Sequence, residues 1–442
     1  MIVLLVLSGK AAITFCLSLF ADGDYVVKLP GQDSPVVYVN EFVDATEPVH
    51  IDPGEVVEVT RTQITVAGDI LPHMPIVRTN KTDNGYDFTD VFTYIKSYVI
   101  SSDYAVANLE TTFAGTAGKE YAGAPDFNSP DAIAEGARIT GFDMLLTANE
   151  QCFNYGTAGL TRTLSVLKDQ NLTTLGTTET KDEPRHTVKN IGGIKVGMAA
   201  YTFADIGTDS KVTLNNHTAS GADAALISAF DYDNLSAFYQ EIEYEISAMR
   251  AKGAETIMLY LHWGDEYSTS VSDKQRAIAQ KLCDLGVDII VGSHPHVVQP
   301  VDLLTSSADA SHKMVCLYST GTLLSNLRSD VINQPSGHTE DGMLFTFTLA
   351  KYSDGNVRIS AVKVLPTWVV VRGTGEGRDF HVLPLDQGNG NWKGSFDLND
   401  TQLEDARKSF NRTMDLVNPG LGKILAYLSE KNATLDPSLG VG

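Results

Sequence analysis

Basic residues are scarce in this 442-residue sequence: 33 Lys and Arg face 55 Asp and Glu, leaving a formal charge of −22. So acidic a chain repels phosphate backbones and anionic headgroups, which argues against nucleic acid or an anionic membrane surface as a non-specific partner. Cysteine is nearly absent. Cys16, Cys152, Cys283 and Cys316 show neither metal-ligand spacing nor a paired pattern, so no disulfide framework is implied. Cys283 lies in a helical pattern and Cys316 in an apolar run, where a thiol serves as a small core group. Internal repeats and low-complexity tracts are missing. Long apolar runs are missing too: residues 1–21 are mostly apolar but carry Lys10 in the middle, a poor match to a full membrane span. The run Ala11–Ala21 reads as the apolar part of a signal peptide or anchor, which would make the protein extracytoplasmic, at the cell surface or membrane-anchored; a buried strand or helix is the alternative.

The rest is ordinary globular sequence, 43% hydrophobic and long enough for one large domain or two. Residues 22–60 are polar and acidic, with Pro30, Pro35, Pro48 and Pro53 among short β-favouring pieces at Val36–Val39 and Val56–Val59; they read as a spacer or small β extension. The main domain, 61–371, opens at Gln63 with QITVAGDILPH, a buried strand running into Gly68-Asp69. Asp69 is placed either to bind a metal or to cap a turn, and His73 follows four residues on. In the next strand, Tyr104–Leu109, alternation aims Asn108 and Glu110 the same way, so that Glu110 either bridges two cations or sits at a solvated loop end. A helix from Pro130 to about Thr140, a strand at Phe142–Thr147 and a helix carrying Leu160, Leu164 and Leu167 follow. The remainder, 372–442, reads as a mobile loop and a surface helix over Thr401–Leu416 capped by Asp400.

The stretch from Thr256 to Gln299 carries the strongest pattern. Two short apolar runs, Thr256–Leu261 and Asp288–Val291, flank an amphipathic segment with Ile278, Leu282 and Leu285 at helical spacing. That is a βαβ unit, with His262 after the first strand and His294 and His296 after the second. All three imidazoles then fall at the carboxyl edge of one parallel sheet, where ligands collect. Pro295 biases His294 toward extended backbone, so the two imidazoles of His294-Pro295-His296 should point the same way. An isolated His-x-His is more often a surface or capping pair; His262 on the neighbouring strand, with Gly264 and Gly292 permitting close backbone approach, reverses this in favour of a metal.

Ordered pieces of the chain resemble the capsule-synthesis protein CapA family, of the poly-γ-glutamate type, related to calcineurin-like metallophosphoesterases and nearest its Gram-positive branch. They include GDILPH (68–73), ANLETT (107–112), GFDMLLTAN (141–149), HWGDEY (262–267), VGSHPHVVQP (291–300) and LPTWVV (365–370). The resemblance implies an α/β fold, a four-layer metallophosphoesterase-like β-sandwich of two packed sheets flanked by helices. It implies a divalent metal site, two ions of Mn, Fe or Zn, held by Asp69, His73, Glu110, Asn149, His262, His294 and His296. Asn149, Gln151 and His262 would stand nearest the chemistry. Expected partners are an anionic envelope polymer or its precursor and membrane-bound capsule or polyglutamate synthesis proteins, with no nucleic acid.

Departures from the family pattern bear on that chemistry. Where the family reads ANNHALDYG, this chain has Ala148-Asn149-Glu150-Gln151-Cys152-Phe153-Asn154-Tyr155-Gly156, so a histidine is Gln151 and an aspartate is Asn154. An asparagine of the family's YSLGNF is also gone, since Tyr318-Ser319-Thr320-Gly321-Thr322-Leu323 stands there. Glutamine hydrogen-bonds but does not titrate near neutral pH, and loss of a general acid commonly costs about 10²–10⁴ in rate. Two functions fit: a weakened metal-dependent hydrolase of a phosphate, ester or amide bond, or a non-catalytic accessory or polymer-binding protein that keeps the fold.

Overall fold

The computed structural model describes residues 2–8, 11–17, 25–27, 36–38, 56, 58–334 and 336–435. They divide into two compact units, 1–56 and 57–442. In the first, Ile2–Ser8 pairs antiparallel with Ala11–Leu17, and Tyr25–Val27 with Val36–Tyr38. The expected signal or anchor run, Ala11–Ala21, lies partly outside the described residues.

The second unit holds two large sheets. One contains β1 (Glu58–Ile70), β2 (Tyr104–Leu109), β3 (Met144–Leu146) and β4 (Thr173–Leu175), mutually parallel. The other is built on β5 (His186–Ile191), β6 (Ile194–Phe203), β7 (Ala229–Phe230), β8 (Thr256–His262), β9 (Ile289–Ser293), β10 (Val301–Thr305) and β11 (Lys313–Leu317). The chain then returns to the first sheet with β12 (Thr322–Leu324), β13 (Asp341–Tyr352), β14 (Val357–Arg372) and β15 (Asp379–Pro384). Strand order is β4-β3-β2-β1-β13-β14-β15 in the first sheet and β5-β6-β8-β9-β11-β10 in the second, with β12 beside β1 and β7 beside β6.

Alternation of side chains explains the layering. Met258 and Tyr260 of β8 face Val66, Val106 and Phe345 of the other sheet in one core, whereas Ile257, Leu259 and Leu261 face outward. There they meet Phe238, Ile242 and Met249 of helix Leu235–Ala251, and Ile278 and Leu282 of helix Asp273–Asp284. On the far side, Ala105, Ala107 and Leu145 face outward against Ile133 and Ala137 of helix Ala132–Thr140. A strand buried on both faces reads as a continuous apolar run, and each large side chain so buried contributes about 1.5–3 kcal/mol. The result is the four-layer α/β sandwich, helices outside two packed sheets.

Three expectations need correction. The opening strand begins at Glu58, not Gln63, because its first residues continue the ladder with β13 as far as Tyr352. The C-terminal helix runs Asp400–Leu435 rather than stopping at Leu416, and it is no surface element: Val417, Ile424 and Leu428 enter the inter-sheet core. Its start is capped by Asn399, not Asp400. Asn399 Oδ1 accepts from the Gln402 amide at 2.9 Å, and Gln402 Oε1 accepts from the Asn399 amide at 3.1 Å. The third is the backbone at His294, which turns where an extended segment was expected. Among the described residues, no helix is long and apolar enough to cross a membrane.

Candidate metal centre

The parallel strands of both sheets end at the same edge of the sandwich, since Asp69 near the end of β1 reaches His296 just beyond β9. Local irregularities aim the donors. In the β1–β2 ladder Val66 pairs with Val106 but Asp69 pairs with Asn108, so two residues of β1 oppose one of β2. Such a bulge re-aims the side chains beyond it. Gly68 makes this possible, because a Cβ there would lie 2.1 Å from the Gly321 carbonyl oxygen. Gly292 does the same on β9, where a Cβ would lie 1.9 Å from the Tyr318 carbonyl oxygen.

On one side of the centre, His296 Nδ1 lies 3.0 Å from Asp69 Oδ2, and its Nε2 lies 3.3 Å from Glu110 Oε1. Asn108 Nδ2 ties the two acids together, donating to Asp69 Oδ1 at 2.8 Å and Glu110 Oε2 at 3.2 Å. On the other side, Glu150 Oε2 contacts His262 Nε2 and lies 3.0 Å from His294 Nδ1. Ser293 Oγ holds the far nitrogen of His262 at 2.9 Å, which orients the ring. Donor atoms of Glu150, His262 and His294, of Asp69, Glu110 and His262, and of Glu110, Glu150 and His296 each fall within 4.8 Å of one another, all on buried residues.

His294 and His296 have φ of +96° and +55°, so the segment is not extended as its proline suggested. Two positive φ values turn the rings apart, one toward Glu150 and the other toward Asp69. Residues outside glycine held there cost about 1–3 kcal/mol each and persist where surrounding contacts over-determine them. The Tyr267 amide, itself at φ +62°, supplies one such contact, donating to the Pro295 carbonyl at 2.8 Å.

Burial and the charges of Asp69, Glu150 and Glu266 push the Glu110 carboxyl well above its usual range. Burial also works against ionised Glu150, but facing His294 and His262 outweigh it and hold that carboxyl well below its usual range. Burial pushes His262 down; at His294 it is overcome by Glu150, Glu266 and Asp69, and the ring is raised. A cation would relieve this crowding of acids. Glu110 Oε1, buried and receiving no hydrogen bond, is a donor left over for one. Oxygen and imidazole donors together suit Mn²⁺, Fe²⁺ or Zn²⁺.

Five predicted ligands, Asp69, Glu110, His262, His294 and His296, are thus brought together. Asn149 sits beside them with its amide engaged: Nδ2 donates to Asn108 Oδ1 at 3.1 Å and the Leu109 carbonyl at 2.8 Å, and Oδ1 accepts from the Gln151 amide at 3.2 Å. His73 stands outside the three donor groups. Its Nδ1 lies 3.0 Å from the Leu71 carbonyl oxygen and 3.2 Å from the Asn326 amide, and burial lowers its pKa to about 4. Gln151 Oε1 accepts from Asn154 Nδ2 at 2.6 Å and Asn215 Nδ2 at 3.2 Å. Sequence reasoning missed Glu150 as a ligand. Its signal was available, since Glu150 directly follows the expected ligand Asn149 at the same strand end.

The profile of the bacterial capsule synthesis protein PGA_cap family matches residues 63–327. The chain belongs to this family. Every residue of the centre lies inside the matched span, and the C-terminal helix lies beyond it. The PGA_cap member is 26% identical over 293 residues to the capsule biosynthesis protein CapA of Bacillus anthracis, covering 65% of this chain and 63% of that one. It is 24% identical over 279 residues to the PGA biosynthesis protein CapA of Bacillus subtilis (strain 168), covering 62% and 65%. The chain therefore spans a little under two thirds of the length of these curated relatives. Among solved structures, the sulfate thiohydrolase SoxB of Thermus thermophilus aligns with a TM-score of 0.36 at 14% identity, covering 78% of this chain and 49% of that one.

Proposed function

We propose that this PGA_cap member serves synthesis or processing of a capsule or poly-γ-glutamate polymer at the cell envelope, through a divalent-metal centre of metallophosphoesterase type. The observation that carries the reading is the convergence of three imidazoles and three carboxylates in one buried place, with Glu110 Oε1 receiving no hydrogen bond. Asp69, Glu110, His262, His294 and His296 would hold the metal. A divalent cation bound there supplies Lewis-acid polarisation of the scissile group and lowers the pKa of water.

The chain's own groups set the limits of the reaction. Gln151 is fixed by Asn154 and Asn215 and offers a hydrogen bond to a substrate oxygen, but it transfers no proton. A phosphate or ester with a good leaving group needs no proton donor and is the substrate class that suits this site. An anionic polymer or precursor would be drawn to the cation, since the net charge of −22 repels it elsewhere. Membrane-bound synthesis proteins are the proposed company of the chain, and an extracytoplasmic or surface position its place. The immobilised Gln151 favours a second reading, a non-catalytic accessory that binds polymer through the metal.

Elemental analysis of the purified protein, with turnover of an aryl phosphate ester by the metal-loaded form, tests the proposal. Bound metal with slow turnover is expected, and both should be lost in the His294→Ala, His296→Ala double variant. Bound metal without turnover leaves the accessory reading; no bound metal overturns both.

A further inference from the structure

Two imidazoles meet one carboxylate oxygen at Glu150. His262 Nε2 and His294 Nδ1 both approach Oε2, and Ser293 already occupies the other nitrogen of His262. The three side chains come from different places, a strand-to-helix loop of the first sheet and the ends of β8 and β9 in the second. No more than 8% of Glu150, 1% of His262 or 6% of His294 is exposed. A structural ion pair needs one imidazole and one carboxylate; a second imidazole on the same oxygen adds the cost of burying another polar ring. Three donor atoms within 4.8 Å of one another are instead what a cation requires, and two histidines with one glutamate form a three-ligand set that leaves a fourth position open.

The opposite side of the centre carries its own pair of acids, Asp69 and Glu110, which share His262 with the Glu150 side. His296 turns toward Asp69 and Glu110, and Asn108 holds those two acids together. Glu110 belongs to two donor groups, one with Asp69 and His262 and one with Glu150 and His296.

Resting on the metal reading of the centre, we infer that Glu150, His262 and His294 form a distinct cation position, occupied by a zinc-like ion, beside a second position that draws on Asp69 and Glu110. Glu150 is then a direct ligand supplied by this chain where the family pattern has asparagine. Its carboxylate adds a negative charge and a stronger donor than an amide oxygen.

The test uses the full chain stripped with chelator and titrated with Zn²⁺ or Co²⁺ alone, followed by calorimetry and, for Co²⁺, visible absorption. The wild type should take up two equivalents. Glu150→Gln, which keeps shape and hydrogen bonding, should take up one and lose most of the intense absorption of low-coordinate Co²⁺. Asp69→Asn should lose the other equivalent and keep that absorption. Glu150→Asp, which keeps the charge, should recover the second equivalent at weaker affinity, and thermal unfolding of each stripped variant checks that it is folded. Two equivalents and an unchanged spectrum in folded Glu150→Gln would overturn this inference while leaving the metal centre standing. No uptake by the wild type would overturn the centre itself.

Discussion

Replacing Gln151 by histidine and Asn154 by aspartate should restore a leaving-group acid, and the contacts at this spot say why both changes are needed. Asn154 Nδ2 now donates to Gln151 Oε1 at 2.6 Å. In Gln151→His alone, that amide donor would face a ring nitrogen and disfavour its protonated form, so the new imidazole would make a poor acid. Adding Asn154→Asp reverses the polarity, because the new carboxylate accepts from the ring and supports the imidazolium. Asn215 Nδ2, 3.0 Å from Asn154 Oδ1, is already placed to donate to that carboxylate. General acid catalysis contributes about 10²–10⁴ in rate, or about 3–5 kcal/mol of barrier. The double variant should gain of that order on an alkyl phosphate ester, whose alkoxide leaves poorly, and less than about 10-fold on the matched aryl ester. The single variant should gain less than about 10-fold on either. Initial rates of the metal-loaded proteins on the matched pair, compared as kcat/KM, measure this. Equal gains on both esters would refute the argument that protonation is what Gln151 lost, and no turnover in any form would leave the accessory reading.

Two further outcomes concern stability. Arg412 forms paired hydrogen bonds of 2.7 Å to both oxygens of Asp341, whose side chain is buried, and so clips the C-terminal helix to the sandwich. Arg412→Met strands that buried acid and should destabilise the protein by about 3 kcal/mol in urea unfolding, whereas Lys423→Met, at an exposed pair with Asp302, should cost less than about 1 kcal/mol. His73 titrates at about 4 rather than 6.5 because it is buried, so it contributes stability above pH 6.5 that is lost as pH falls toward 4. His73→Gln should flatten the stability of chelator-treated protein over that window by at most about 3 kcal/mol, and should leave metal content unchanged. An unaltered pH profile, or loss of metal, would sink the reading of His73 as a buried neutral ring outside the donor groups.

Much of the fold was legible because the βαβ unit around Thr256–Gln299 obeys two periods at once, with apolar runs at strand length and Ile278 and Leu282 at helical spacing. Residues at strand ends are then placed by topology, which is why Asp69, Glu110 and the three histidines meet. The features that escaped reading were tertiary in origin. Pro419 and Gly420 resemble a helix stop, yet the helix continues to Leu435. A Cβ at Gly420 would lie 1.6 Å from the Val301 carbonyl oxygen, so the glycine is there for close approach to β10. The turn at His294 escaped for a similar reason: proline at 295 constrains its neighbour only weakly, and contacts from another loop, such as the Tyr267 amide to the Pro295 carbonyl, select the rarer φ.

Glu150 and Gln151 are neighbours in sequence and differ from the family pattern together, and their effects run in opposite directions. On the inferred role of Glu150, an acid in place of an amide beside His262 and His294 would strengthen the hold on a cation, because a charged oxygen would replace a neutral one where burial suppresses screening. An amide in place of an imidazole removes the proton that a poor leaving group requires. On the proposed reading, a centre altered in both ways would grip its metal more firmly and turn over less. That combination serves binding of an anionic polymer or slow hydrolysis of an activated ester better than rapid cleavage of an unactivated one. The two substitutions therefore separate experimentally: reverting Glu150 should move metal affinity, and reverting Gln151 with Asn154 should move leaving-group dependence at fixed metal content.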